Sequence, residues 1–486
     1  MTKPAHHYIT APEDRISIPQ KIAYSLGALV NNMQAAALGA MVVILNLGLG
    51  MNPALVGIIG FVPRLVDAVT DPVVGHISDN TRTRFGRRRP YLFWGAIFSG
   101  IIFALMWQPP AGQTQNFYFW FFLVAQTAFF LAYAVYSIPF IALGYELTPD
   151  YHERTRLQGF GNFVGNIAWI IAPWFYKIMQ DTRLFENPVK GARFLAIIVG
   201  AFILVGGIIP AIFNRERVFN ISLKDDEKKT GKIKGSREHI REFFKVFLIT
   251  FKNRPFIKLC AATFLVFNGY MLASSFTLYV MIYYVFGGNT NKGGNLLGWY
   301  GSLSSICTFC VIPLTTWIST RLGKKRTFLI TISVSIFGYA MKWVGYNPDY
   351  PYLLLAAAPL AAFGLGSLFT LMGAMVADVC DVDELETGRR REGMFGAVYW
   401  WMVKLGLAMA GLIGGFLLNA SGFDVALGAV QSTKALFLLR VFDVGIPIVS
   451  SAIAILIILT FNVTEEKAHE TRLELERRRG KAAVVC

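Results

Sequence analysis

Charge is scarce in this chain of 486 residues: Asp, Glu, Lys and Arg make up 16%, against about 25% in soluble domains. That deficit leaves long stretches with nothing to offer water, and they are filled by a composition that is 54% hydrophobic and 14% aromatic. Length alone would suit several soluble domains; the apolar runs favour one membrane domain instead. Histidine is sparse and scattered. There is no HExxH, no GxSxG in a strand–helix context and no P-loop lysine. Zinc hydrolysis, nucleophile-elbow chemistry and ATP-driven transport therefore have no residues to carry them, so no enzyme and no cofactor is expected. The cysteines Cys260, Cys307, Cys310, Cys380 and Cys486 form no disulfide framework. Cys307 and Cys310 have CxxC spacing inside an apolar run, where they read as small apolar side chains. The first 20 residues are polar, hold Pro4, Pro12 and Pro19, and lack the apolar core of a signal peptide.

What the chain has in plenty is apolar runs long enough to span a bilayer, which takes about 20 residues. Candidate spans are 22–48, 54–77, 90–108, 116–143, 158–179 and 193–213, then 256–286, 296–318, 326–346, 351–377, 394–419 and 440–462. The net charge of +16 sits in short clusters between them. That is the pattern of loops facing an anionic leaflet, not of a groove for nucleic-acid phosphates. Arg82, Arg84 and Arg87 to Arg89, then Arg154 and Arg156, the segment 214–255, Arg321 to Arg326, and Arg389 to Arg391 all fall on one side if there are twelve spans. The loops opposite are poorer in Lys and Arg, apart from 180–192 and the Lys434 to Arg440 region. The positive-inside rule puts both termini in the cytoplasm of a multi-pass cell-membrane protein.

The expected fold is an all-α membrane protein of twelve transmembrane helices in two pseudo-symmetric halves. Thr83-Arg84-Phe85-Gly86-Arg87-Arg88-Arg89 follows the second span, and Thr320-Arg321-Leu322-Gly323-Lys324-Lys325-Arg326 follows the eighth, 237 residues later. Glu153-Arg154-Thr155-Arg156 is answered at about the same offset by Glu386-Thr387-Gly388-Arg389. Two echoes at one offset argue for a duplicated six-helix unit. The organisation read from this is a cytoplasmic N-terminus 1–21, a six-helix half 22–213, a cytoplasmic linker 214–255, a second half 256–462 and a cytoplasmic tail 463–486. Within the linker, Ile240, Phe243, Phe244, Phe247, Leu248 and Phe251 mark one face of an amphipathic helix over 236–252, suited to the membrane surface. The charged tail reads as a solvated helix or a frayed end.

A charge inside a span costs about 2.5–3.5 kcal/mol on insertion scales, so each needs a reason. The second span holds Arg64, Asp67 and Asp71, whose spacings of three and four put them on one helix face. An internal ion pair would account for two of them. Two carboxylates against one arginine leave a surplus negative charge, which suits a cation, Na⁺ or a proton. Lys404 stands alone in the eleventh span, and the carboxylates of the second span are its expected partners. Beside it Tyr399, Trp400 and Trp401 suit the apolar face of a sugar ring and serve equally as packing aromatics. Pro139 bends the end of the fourth span, and Glu146 follows. Asp378, Asp381 and Asp383 end the tenth span near Arg389 and Arg390. With Glu146 and Arg154 they are candidates for a cytoplasmic gate of breakable ion pairs.

The run from Arg64 to Gly75, with Asp79-Asn80-Thr81-Arg82 and Gly86-Arg87-Arg88-Arg89-Pro90, resembles the hallmark of the glycoside–pentoside–hexuronide:cation symporters, the melibiose-permease-like branch of the major facilitator superfamily. Ser137 to Phe140, Val376-Ala377-Asp378 and Lys404 fit the same pattern. The resemblance implies alternating access about a midplane site. It assigns Asp67, Thr70 and Asp71 to the coupling cation (the metal site if the ion is Na⁺), and Lys404 to the substrate region. Departures are equally specific. Asn32 and Ser137 stand where galactoside-binding members carry acidic residues. Ile141 stands for an aromatic, Asn162 for an arginine and Thr370 for a tryptophan. With Arg64, Tyr399 and Trp400, these positions outline the expected substrate site, and the lost galactoside residues turn the expectation to an anionic sugar, a uronide or sulfonated hexose. Related lysophospholipid symporters make an amphiphile the alternative, and a non-transporting sensor is the third reading. A sugar or glycoside, a coupling cation and lipids are the expected partners of a monomer.

Overall fold

The computed structural model describes residues 12–81, 83–148, 150–214, 216, 253–388, 392–463 and 465–479. Among them eleven helices are long and apolar enough to cross a membrane. The first half supplies α1 (Ile18–Leu47), α2 (Pro53–Asn80), α3 (Arg89–Met106), α4 (Gln115–Glu146) and α6 (Pro188–Phe213). Between α4 and α6 the expected fifth span is present in pieces. These are Tyr151–Gly165, Ile167–Ile171 and Trp174–Met179, together called α5. Asn166 breaks the first joint and Pro173, with no N–H to give, the second. The second half supplies α7 (Arg254–Val285), α8 (Thr290–Leu322), α9 (Lys324–Gly345), α10 (Pro351–Thr387), α11 (Glu392–Ala420) and α12 (Thr433–Leu459). The last turn of α7, Val280–Val285, is π-helical.

The loops place polar caps where helices must start. Asn52, Thr114, Asp150, Asn187, Asn253, Asn289 and Ser432 each accept a backbone N–H of the following first turn with the side chain. Pro53 and Pro188 follow two of these caps, where a missing N–H costs nothing. The echo between the basic loops has a backbone cause: Gly86 and Gly323 both have positive φ, 106° and 79°, which favours glycine.

The chain divides into two compact units, Met1–Ile221 and Ser222–Cys486. In unit 1, α1 packs on α5 and α6, α4 on α2 and α3, and α3 on α6. In unit 2, α7 packs on α11 and α12, α10 on α8 and α9, and α9 on α12. The second set is the first with six added to every label, so the two units repeat one packing plan. Small residues let the helices close up where apolar burial between them gives little drive. A Cβ on Gly100 of α3 would stand 2.6 Å from the Gly200 carbonyl oxygen of α6. In unit 2 a core around Phe256, Phe328, Met372 and Phe395 joins α7, α9, α10 and α11.

The tail forms the helix that is one of the two expectations for it, and it is docked rather than wholly solvated. Glu465–Arg479 forms a helix, α13, that packs on α10 and buries Thr471 and Leu475. The linker segment 236–252 lies outside the described residues.

Gly100→Val is expected to lower stability by about 1–3 kcal/mol, because backbone on α6 cannot yield as a side chain would. Gly39→Ala, with nothing within 4 Å of the new methyl, is the control. Thermal melts of both variants in detergent check this.

Candidate functional site

Helix α2 carries the charged face of unit 1. Asp67 is buried, and Arg64, Thr70 and Asp71 are half-buried. The Arg64 guanidinium lies over the Phe130 ring of α4, 5.3 Å from its centroid, and within electrostatic reach of Asp67 and Tyr133. The Thr70 hydroxyl donates to the Asp67 carbonyl at 3.1 Å, and its oxygen keeps its capacity to accept. Pro72 stands in mid-helix beside Asp71. Lacking an N–H, it leaves the Ala68 carbonyl without its usual helix donor. Two carboxylates, a hydroxyl and a released carbonyl thus gather over one turn or so, all oxygen donors of the kind a hard cation takes. No group of three or more His, Cys, Asp or Glu suited to a metal occurs among the described residues.

The other expected substrate residues of unit 1 lie on its remaining helices. Asn32 of α1 abuts α5, its amide nitrogen 2.8 Å from where a Cβ on Gly165 would stand. Asn162 is exposed one turn before the first joint of α5, and its carbonyl accepts from the Asn166 side chain at 2.8 Å. Ser137 is buried in α4, next to Ile138, which faces Gly75 of α2.

In unit 2, Trp400 is 57% exposed and stacks on Phe369 of α10 at 6.0 Å, nearly parallel. Lys404, four residues on, shares that face of α11. Together they make an apolar platform with an ammonium beside it. Thr370, next to Phe369, donates to its own helix at Gly366. Tyr399 belongs to the core of the unit, so packing accounts for its ring.

The basic loops are tied to the fourth helix of each half. Arg88 is buried and donates to Ser78 at 2.7 Å, to Glu146 at 3.0 Å and to Asp79. Arg87 reaches the same Glu146 oxygen at 3.0 Å. Glu216 accepts the backbone N–H groups of Arg87, Arg88 and Arg89 at 2.7, 2.8 and 2.8 Å, capping α3 with a carboxylate. In unit 2, Lys324 pairs with Asp378 at 2.7 Å. The repeat is kept: a cation after the second helix of each half binds an acid near the end of its fourth. Arg154, grouped with the gate in sequence, donates to the Thr148 carbonyl at 3.1 Å. Asp381 is half-buried and Asp383 buried in the last turns of α10, and Arg389 and Arg390 lie outside the described residues.

Two features escaped the reading of the sequence. Glu153 opens α5, before the expected span of 158–179. It accepts from Lys21 at 2.6 Å, from the Ile16 amide at 3.1 Å and from Arg156 at 3.3 Å. Burial pushes this carboxyl up; the Lys21 hydrogen bond, the Ile16 amide, the Lys21 charge and Arg156 outweigh it and hold the group below the ordinary carboxylate range. The second is a buried ion pair of Lys342 on α9 and Asp443 on α12 at 2.7 Å. Both are charges inside expected spans, so the insertion-cost argument that picked out Lys404 applied to them as well.

The profile of the family described as MFS/sugar transport protein matches residues 23–465. A glucuronide carrier protein homolog of Escherichia coli is 25% identical over 466 residues, covering 94% of this chain and 95% of that protein. Sodium-dependent lysophosphatidylcholine symporter 1-B of Danio rerio is 23% identical over 495 residues, covering 96% and 91%. Among solved structures, a bacterial homolog of the human lysosomal transporter Spinster, inward-facing and unoccupied, superposes with a TM-score of 0.66 at 15% identity, covering 94% of this chain and 99% of that one. The shared fold is the major facilitator fold.

Because the folded-state pKa of Glu153 is depressed, its contribution is complete above the unfolded carboxylate value and is lost as pH falls through the folded one. Glu153→Gln is expected to flatten the acid limb of the stability–pH profile and to cost about 1–3 kcal/mol at neutral pH. Melts across an acid-to-neutral buffer series measure both effects.

Proposed function

The chain belongs to the MFS/sugar transport protein family, and from that premise we propose that it is a cation-coupled symporter of sugars or glycosides, of the glycoside–pentoside–hexuronide:cation type. The observation that carries this is the oxygen-rich face of α2. Asp67, Asp71 and Thr70 hold Na⁺ or a proton, and Arg64 over Phe130 offsets part of the charge. The Ala68 carbonyl, left without its helix donor by Pro72, adds a ligand without adding charge.

The substrate binds against Trp400 and Phe369, with Lys404 beside them. An aromatic platform suits the apolar face of a sugar ring, and an ammonium beside it suits an acid group on that sugar. The similarity to a glucuronide carrier homolog supports a uronide over a neutral glycoside. Thr370, beside Phe369, supplies an uncharged polar contact in keeping with that choice, and Asn32, Ser137 and Asn162 are uncharged polar candidates of unit 1. Alternating access breaks and remakes the loop pairs Arg88–Glu146 and Lys324–Asp378. With the basic loops inside, both termini are cytoplasmic and the protein resides in the cell membrane as a monomer. Its halves are 22–213 and 256–462, joined by the linker 214–255.

The second reading is a lysolipid or similar amphiphile. The relation to a sodium-dependent lysophosphatidylcholine symporter favours it, since an anionic headgroup on an apolar tail meets the same ammonium and aromatic platform.

Proteoliposomes given a mixed pool of neutral glycosides, uronides, sulfonated sugars and lysolipids, under an inward Na⁺ or proton gradient, test both readings. Mass spectrometry should find one anionic sugar class accumulated. Asp71→Asn should cut accumulation by about tenfold or more, a loss of about 1.4 kcal/mol or more. Lys404→Met should remove the preference for the anionic class. Accumulation of lysolipid alone would replace the sugar reading, and no accumulation of any class by folded protein would remove both.

A further inference from the structure

Three helices of unit 2 meet at a charged junction that the other half builds without charge. Lys342 and Asp443 are 3% and 0% exposed. Lys342 donates to both carboxylate oxygens of Asp443 at 2.7 Å and to the Thr277 hydroxyl of α7 at 3.0 Å. Thr277 donates to Asp443 at 2.6 Å, and Tyr346, the residue after α9, donates at 2.7 Å.

The register between the halves can be read from their packing. A Cβ on Gly27 of α1 would meet Pro210 of α6, and one on Gly269 of α7 would meet Pro447 of α12. Asp443 lies four residues before Pro447, where unit 1 has Gly206. Thr277 lies eight after Gly269, where unit 1 has Ala35. At the offset of the basic loops, Lys342 answers Leu105. The contact of first and sixth helices thus carries Ala and Gly in unit 1, and Leu105 lies exposed on α3 where Lys342 is buried on α9. Packing does not require ions there, and a buried pair does little for stability compared with apolar residues of similar size. Charges kept inside a span that the fold can do without point to a task.

The surroundings show which task. The Lys342 ammonium lies 5.7 Å from the Tyr300 ring and 5.6 Å from the Tyr346 ring. Tyr300 and Tyr339 lie within electrostatic reach of Asp443, and each of Tyr270. The Tyr339 hydroxyl is buried with no hydrogen-bond partner. Arg440, one turn before Asp443 on α12, is engaged elsewhere, between the Tyr284 and Trp343 rings at 4.1 and 4.2 Å. The ammonium therefore has aromatic faces to rest on without its carboxylate, and the carboxylate has hydroxyls around it along which a proton can pass.

We propose that Asp443 is a proton-binding residue of the transport cycle, with Lys342 as the cation the proton replaces. While the pair is closed, the ammonium neutralises the carboxylate. When α9 and α12 draw apart, the carboxylate takes one proton from water, –COO⁻ + H⁺ → –COOH, and Lys342 keeps its own charge over Tyr300 and Tyr346. On closure the proton leaves to water and the pair reforms. This rests on the reading of the chain as an alternating-access carrier, but protonation itself is measurable without a substrate.

Infrared difference spectra of the purified full chain, acid minus alkaline buffer, test it. A protonated-carboxyl band is expected that vanishes in Asp443→Asn and persists to higher pH in Lys342→Met. Should either single variant misfold, Lys342→Met/Asp443→Leu restores an apolar junction like that of unit 1; it should melt like the parent and lack the band. A band unchanged in Asp443→Asn or in the double variant overturns the proposal. So does a double variant whose solute exchange keeps the parent's pH profile. If no solute is carried at all, the symporter reading fails while the infrared result still stands or falls on its own.

Discussion

An ion in hydrocarbon must find its counter-charge inside the protein, and most of what is particular to this molecule follows from that constraint. Twenty-odd apolar residues form a spanning helix almost regardless of their order. The few charges within the spans cannot be placed so freely. Arg64 lies against Asp67 and an aromatic face; Lys342 is enclosed by Asp443, Thr277 and two tyrosine rings. At the loop ends, where water returns, the pairs become multidentate and partly exposed, as at Arg88.

Spans, halves and the charged second helix were legible in the sequence because each rests on local pattern. Hydropathy sees a run, and Gly86 with Gly323 marks a turn that only a positive φ allows. The fifth span was legible as a run but not as three pieces, since an asparagine within a run does not by itself announce a helix end. The docking of α13 was not legible, because only Thr471 and Leu475 of a charged segment are buried and the surface that receives them comes from α10. Glu153 was read as part of a loop echo, though its three donors come from positions far apart in the chain as well as from its own helix. Lys342 and Asp443 were the legible charges that went unread. Each sits near an end of its span, where a charge can be mistaken for the start of a loop, and their pairing across 101 residues has no local signature.

The two units share a packing plan and differ in chemistry. Unit 1 concentrates carboxylates on its second helix, and unit 2 holds an ammonium beside aromatic rings on its fifth. The repeated plan places Asp443 and Thr277 in one half where the other has Gly206 and Ala35. Small residues at the helix contacts make such divergence tolerable, since they set the approach of backbones and leave the polar positions free to vary.

The face of α2 has a consequence for electrical work. With Arg64 counted against Asp67 and Asp71, it carries one negative charge in excess when all three are ionised. The membrane potential acts on such a charge with about 2.3 kcal/mol for each 100 mV. Under the proposed symport, a monovalent cation on that face would cancel the excess, and the loaded carrier would reorient with no charge there for the field to act on. The unloaded carrier would return with the excess exposed, so a negative-inside potential would bear on the return step and not on the loaded one.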